Sequence, residues 1–338
     1  MQRSLVALAV AVAVAVATSL ASAGVAQPAR STALSPGEIV AAAPASDWTA
    51  IAPSDLLVMD LAPGPRGQRR VVIQLMPATF SQGWIGNIRK IAAAQWWDGT
   101  SINRVQDNYV AQWGDASEKK SLPQGLATVA ESEYLTVLTE DQAESWKRQT
   151  EGLIAARLAK ADVDQRDDAP PLDPYAKFMG FFGGFPAGLR AESGSSGLRL
   201  EAWPAHCYAM VGVGRNLSPD TGSGAELYTV IGHAPRHLDR NIALVGRVIE
   251  GIEHLSSLPR GTGALGFYES EAERVPILSV RMGTGIAELP AFEFLSTESA
   301  TFAKYADARA NRRDPFFNVP AGGADICNIP VPVRRRAR

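Results

Sequence analysis

The chain has 338 residues, with 33 Lys and Arg against 35 Asp and Glu and a formal net charge of -2. At about 100–200 residues per domain this is one large domain or two ordinary ones. Apolar residues at 46% and charged residues at 20% exclude a wholly disordered chain, and the near balance of charge argues against a general nucleic-acid binder. Two cysteines, Cys207 and Cys327, exclude a disulfide-dense scaffold and a four-cysteine zinc site.

Residues 1–26 are read as a secretory signal peptide. Arg3 supplies a positive start, Leu5 to Val16 is an uncharged apolar run, and Ala21-Ser22-Ala23 is a small-x-small cleavage site. The expected product is soluble and exported, in a compartment that permits a Cys207–Cys327 bridge. The residues leave that bridge and two buried free thiols equally open. Residues 27–54, rich in Ala, Ser and Pro, read as a tether.

A hairpin is predicted next, from Leu56–Leu61 and Arg70–Leu75 around Pro63-Gly64-Pro65-Arg66-Gly67. Phe80 to Gln95 switches to helical period, with Trp84, Ile88 and Ile91 on one stripe. Strand-like runs follow at Ser101–Val105 and Tyr109–Gln112. Thr139-Glu140-Asp141-Gln142 fits a capping box, which predicts a helix to about Val163, closed by Asp167-Asp168-Ala169-Pro170-Pro171. Phe178, Phe181, Phe182 and Phe185 sit among glycines and read as an irregular loop packed onto the body.

Further strands are expected at Cys207–Val213, Ala225–Ile231, Ile242–Val248 and Val275–Val280, the last an edge strand because of Pro276. Glu250–Leu258 and Ser296–Arg312 read as helices. The tail Arg334-Arg335-Arg336-Ala337-Arg338 reads as solvated.

Two motifs carry little. Gly261-Thr262-Gly263-Ala264-Leu265-Gly266 matches G-x-G-x-x-G, but Pro259 precedes it where a dinucleotide site needs a strand, so it reads as a loop. His233 and His237 are four apart, with Pro235 between them breaking the helix a zinc pair would need.

The informative run is Phe80–Asp115, FSQGWIGNIRKIAAAQWWDGTSINRVQDNYVAQWGD, followed much later by AELYTVIGHAPRHLDRNIALVGRVIEG from Ala225 to Gly251. Here the chain resembles the cyclophilins, peptidyl-prolyl cis-trans isomerases, and among them divergent exported bacterial members. The steps from Arg104 to Tyr109 and to Gln112 are kept, as is the length from Leu238-Asp239 to Gly246. The resemblance covers about residues 55–115 and 205–282. It implies a mainly β fold, a closed eight-stranded antiparallel β-barrel with two capping helices over 55–282. A long helical insertion at 116–200 and a C-terminal extension at 283–338 elaborate it.

An X-Pro bond exchanges in tens to hundreds of seconds unaided, because amide resonance sets the barrier. A catalyst needs no cofactor and no metal. It needs a fixed donor near the twisted amide and an apolar cup for the ring. By resemblance, Arg104 is the catalytic arginine. Tyr109, Val110, Tyr228 and Leu238 form the proline pocket, and Gln112 supports the arginine and binds substrate backbone. The implied partners are proline-containing unfolded or folding polypeptides, and the implied location is periplasmic.

The sequence departs from the family where S-Q-F-F becomes Ala225-Glu226-Leu227-Tyr228. Glu226 sets a carboxylate at the substrate-binding wall in reach of Arg104, and Tyr228 adds a hydroxyl that needs a partner. Two other readings therefore stand beside the isomerase: a catalytically weak module that holds Pro-containing segments, and a scaffold that docks through 116–200 and 284–338.

Overall fold

The computed structural model describes residues 33–146, 173–194 and 197–336. The expected leader lies outside these residues, as does the expected helix beyond Trp146. Helices are α1 (Pro36–Ala41), α2 (Gln82–Ala93), α3 (140–146), α4 (Glu253–Ser256) and α5 (Ala300–Ala310). Strands in the first half are β1 (Trp48–Ile51), β2 (Leu56–Gly64), β3 (Gly67–Leu75), β4 (Ser101–Val105), β5 (Val110–Gly114) and β6 (Thr136–Val137). Then come β7 (Phe178–Phe182), β8 (Phe185–Gly194), β9 (Gly197–Pro204), β10 (Met210–Val213) and β11 (Leu227–Val230). The last are β12 (Leu244–Glu250), β13 (Val275–Met282), β14 (Phe292–Leu295) and β15 (Val333–Arg335).

Eight strands close into an antiparallel barrel in the order β10-β11-β5-β4-β13-β2-β3-β12. The expected hairpin is β2–β3, with Gly64 opposite Gly67 at its tip. The runs Leu56–Met59 and Val71–Leu75 are buried without alternation, apolar for four and three residues in succession, because both faces of these strands are covered. Helix α2 buries Trp84, Ile85, Ile88 and Ile91 against the barrel and contacts β12 and β13. At roughly 1.5–3 kcal/mol per buried apolar side chain, this stripe holds a helix too short to persist alone. The one-turn α4 packs on β3.

The insertion departs from expectation. Its capping box forms, with Gln142 N donating to Thr139 Oγ1 at 3.3 Å and Thr139 N donating to Gln142 Oε1 at 3.0 Å. Yet its described part is mainly a four-stranded sheet in the order β6-β9-β8-β7. The phenylalanines read as a loop belong to the β7–β8 hairpin. Phe182 pairs with Phe185 across Gly183-Gly184, whose φ values of 51° and 84° match a two-residue turn that only glycine enters freely. Their packing onto the body is as expected: Phe181 meets Phe302 at 5.0 Å and Phe182 meets Phe80 at 5.7 Å between centroids. Behind the sheet, the buried Arg247 of β12 donates to Gln74 Oε1 and to the Gly184 carbonyl, and burial lowers its pKa to about 9.

The chain's two ends correct the sequence reading as well. Residues 36–51, expected within a tether, are built into the body. Ser35 caps α1 through a capping box with Glu38, α1 contacts α5, and β1 pairs with β14. The basic tail is a strand. β15 extends the same sheet, Arg334 and Arg335 reach Glu293 and Glu250 at 2.7 and 2.6 Å, and Arg334 lies 3.7 Å over the Trp48 ring. These arginines remain exposed, as expected of a solvated tail, and ion pairing and stacking order them within the strand.

Strand β13 is not an edge strand: it lies between β4 and β2. Pro276 fits because Ile277 N donates toward β4, to the Thr100 carbonyl. The missing donor of Pro276 thus faces β2, where pairing begins only at Ile277 with Leu61. Cys207 and Cys327 form a disulfide, with Cα atoms 5.0 Å apart, that ties the entry to β10 to the C-terminal extension.

Candidate active site

Register alone builds the centre of the site. Arg104 on β4 is the cross-strand partner of Gln112 on β5, Gln112 of Tyr228 on β11, and Tyr228 of Gly212 on β10. Partners in register share a face, so three candidate side chains form one row across the barrel wall. Gly212 ends the row because a Cβ there would collide with the Tyr228 ring. A second row pairs Val110 with Val230. Val110, Tyr228 and Val230 form a small apolar cluster of their own, with Tyr109 and Ile242 packed against it.

Of this cluster and its neighbours, Tyr109, Val110, Tyr228 and Ile242 line a cavity of about 730 Å³, with Arg104, Gln112, Glu226, Leu238 and Phe267 around it. Every residue assigned to the site from sequence therefore meets here: Arg104, Tyr109, Val110, Gln112, Glu226, Tyr228 and Leu238. A turn over Gln106–Tyr109, with Asn108 in the left-handed region at φ 51°, sets Tyr109 beside Arg104.

The guanidinium is held on three sides. Nε donates to the Leu265 carbonyl at 2.8 Å, Nη1 to Gln112 Oε1 at 3.1 Å, and Nη2 to Gln106 Oε1. The Arg104 head also stands over Phe267 at 5.2 Å and Tyr109 at 5.7 Å. Three of its five N–H donors are thereby used to fix orientation, and two remain. Burial holds its pKa below the ordinary arginine value, and no salt bridge to it is found among the described residues.

Glu226 does not pair with Arg104, contrary to expectation. Its side chain fills the space beside Gly114 and reaches Gln112, whose Nε2 lies 3.4 Å from Oε2. Gln112 thus stands between the two charges. Burial pushes the Glu226 carboxyl up to about 7, against hydrogen bonds from Gln112, Asn103 and the Asp115 backbone that pull it down. The Tyr228 hydroxyl has its partner in His206, with Oη 2.8 Å from Nε2.

A family model for cyclophilin type peptidyl-prolyl cis-trans isomerase/CLD matches residues 67–282. The chain belongs to the cyclophilin family. A crystal structure of a cyclophilin from Hirschia baltica is similar in fold, at TM-score 0.59 and 21% identity over 86% of this chain and 95% of that one. A cyclophilin type peptidyl-prolyl cis-trans isomerase of Cryptosporidium parvum, crystallised in the presence of the dipeptide Ala-Pro, aligns at 8% identity and TM-score 0.36. It covers 67% of this chain and 98% of its own. No match is found among curated protein sequences.

In this cyclophilin, several residues at the site escaped the sequence reading. Gln106 sits two residues beyond Arg104, so its place on the same face was legible from strand period. Leu265 and Phe267 arrive from a loop about 160 residues away, and no local signal announces them. The loop is the G-x-G-x-x-G segment. Its Gly266, at φ 79°, passes so close to Gln106 that a Cβ would lie 2.7 Å from the Gln106 Cα. Gly266 thus lets the loop approach the end of β4, while Gly261 and Gly263 pack against the loop's own residues. Ile242, placed from sequence only at the start of a strand, packs against the apolar cluster and lines the cavity.

Proposed function

We propose that this cyclophilin catalyses peptidyl-prolyl cis-trans isomerisation, with Arg104 as the catalytic residue. The observation that carries the reading is a three-point-anchored guanidinium, with donors to spare, beside the cup of Tyr109, Val110, Tyr228 and Leu238. The cup takes the prolyl ring. As the amide twists, resonance is lost and the prolyl nitrogen regains its lone pair. A positive donor already in place stabilises that state more than the planar one, with no reorganisation at the moment of rotation. No bond is made or broken, so no nucleophile is needed. Gln112 positions Arg104 and lines the groove where substrate backbone runs.

A second reading is favoured by one observation. The Gln112 amide nitrogen faces Glu226, which leaves it less free for substrate. A module that holds Pro-containing segments with slow turnover fits that arrangement. We also propose that the protein acts on exported polypeptides in the periplasm. The leader-like residues 1–26 and the Cys207–Cys327 disulfide support this reading.

The test is isomerisation of a proline peptide by the purified protein, beside Arg104→Ala. Turnover that falls in the variant supports the enzyme. Peptide binding without turnover in either protein favours the module, and neither binding nor turnover overturns both.

A further inference from the structure

Behind the proline cup runs a hydrogen-bonded chain that the chemistry above does not use. His206 is fully buried between Tyr228 and Asp239. Asp239 Oδ1 accepts from both the His206 backbone N and Nδ1, each at 2.9 Å. Asp239 Oδ2 accepts from Arg236 Nε at 2.6 Å, and Arg236 Nη1 reaches Asp173, in the insertion, at 2.9 Å.

The proton positions follow from this pattern. A carboxylate only accepts, so Nδ1 carries the hydrogen. Burial lowers the His206 pKa against the raising effect of Asp239, so the ring is neutral and Nε2 is bare. The Tyr228 hydroxyl therefore donates to Nε2. Of the chain, only Tyr228 lines the cavity. The chain nonetheless grips two walls of the cup. It holds Tyr228 by its hydroxyl. It also holds Leu238 from both sides in sequence, since Arg236 and Leu238 share one turn and Asp239 follows it.

We propose that His206, Asp239 and Arg236 are positioning residues that fix Tyr228 and Leu238 as two walls of the proline cup. The inference rests on the isomerase reading for its consequence in turnover, and on geometry for the rest. It predicts a specific asymmetry. Removing His206 leaves a buried hydroxyl without an acceptor, and the Tyr228 ring must move to find one. Removing the hydroxyl as well abolishes that demand.

The experiment measures KM and kcat for a proline peptide, with Kd by calorimetry, for wild type, His206→Leu, and His206→Leu with Tyr228→Phe. The expected result is a KM and Kd raised about tenfold in His206→Leu, kcat within about twofold, and recovery to within about threefold in the double variant. A double variant as impaired as the single overturns the proposal, as does a single variant with unchanged KM and Kd. Imidazole 15N NMR of the wild-type protein removes dependence on the variants folding. His206 carrying its proton on Nδ1 supports the chain, and a proton on Nε2 overturns it. A wild-type protein that binds the peptide but does not turn it over defeats the isomerase reading, while Kd and the tautomer still decide this one.

Discussion

Arg104 Nη1 donates to Gln112 Oε1 at 3.1 Å, across strands β4 and β5 where the two residues are register partners. The bond spans one strand spacing, so it is set by the barrel and not by loop conformation. It fixes the plane of the guanidinium before any substrate arrives, which is the condition for selective stabilisation of a twisted amide.

Replacing Arg104 by Ala is expected to lower kcat/KM by roughly 100-fold or more, the scale of losing a preorganised donor. Gln112→Ala, which removes one of three anchors, is expected to cost roughly tenfold on the same scale. A coupled isomerisation assay of both variants checks this, and equal losses from the two would contradict the division of roles.

Glu226 makes stability and activity depend on pH. Its folded pKa is raised from 4.5 to about 7 by burial. The folded protein therefore holds a proton that the unfolded chain has released between those values, and stability falls as pH rises through that window. Glu226→Gln is expected to remove the fall, a gain of up to about 3 kcal/mol above pH 8 at 1.36 kcal/mol per unit. Denaturant titrations of both proteins at pH 5 and pH 8 measure it. Ionised Glu226 also draws on Gln112 and offsets the charge of Arg104. Turnover is expected to decline with a midpoint near pH 7 in the wild type and to stay flat in Glu226→Gln.

Gly266 lies at φ 79°, and a Cβ there would meet the Gln106 backbone at 2.7 Å. Gly266→Ala is expected to cost about 1–3 kcal/mol through strain. It also displaces the Leu265 carbonyl that accepts from Arg104 Nε. A fall in kcat/KM well beyond any fall in the folded fraction, measured at a temperature where the variant is folded, would show the loop acting on the arginine.

The Cys207–Cys327 bridge closes a sequence separation of 120 residues. Its removal by a double Ser substitution is expected to cost about 2–4 kcal/mol, mainly by freeing the unfolded chain. Thermal unfolding with and without reductant checks this, and identical Tm values would show that the bridge constrains little.

Trp48 and Arg334 close the sheet formed by the two ends of the chain, with the guanidinium 3.7 Å over the ring and Glu293 paired to it. Arg334→Ala is expected to lower stability by about 1–2 kcal/mol, from lost stacking and a Glu293 carboxylate left with only the longer Arg336 pair at 3.9 Å. Urea unfolding reads the change.

Period and spacing by themselves determined the hairpin of β2 and β3, the buried stripe of Trp84, Ile88 and Ile91, and the strands that carry Arg104, Gln112 and Tyr228. These are local quantities, written in side-chain alternation and turn residues, and the order of the signature residues carried the family. What lay between distant segments was decided only in three dimensions. The Gly183-Gly184 turn was in plain view, yet glycines flanked by phenylalanines do not say that two strands will pair across them. The tether and the basic tail became a sheet because β14 offers two edges, one paired with β1 and the other with β15. Glu226 was placed at the site from sequence, but only register and packing put Gln112 between it and Arg104. The His206–Asp239–Arg236 chain joins residues up to 33 apart whose common feature is burial. A polar group taken out of water must find a partner, and only the folded chain decides which one is within reach.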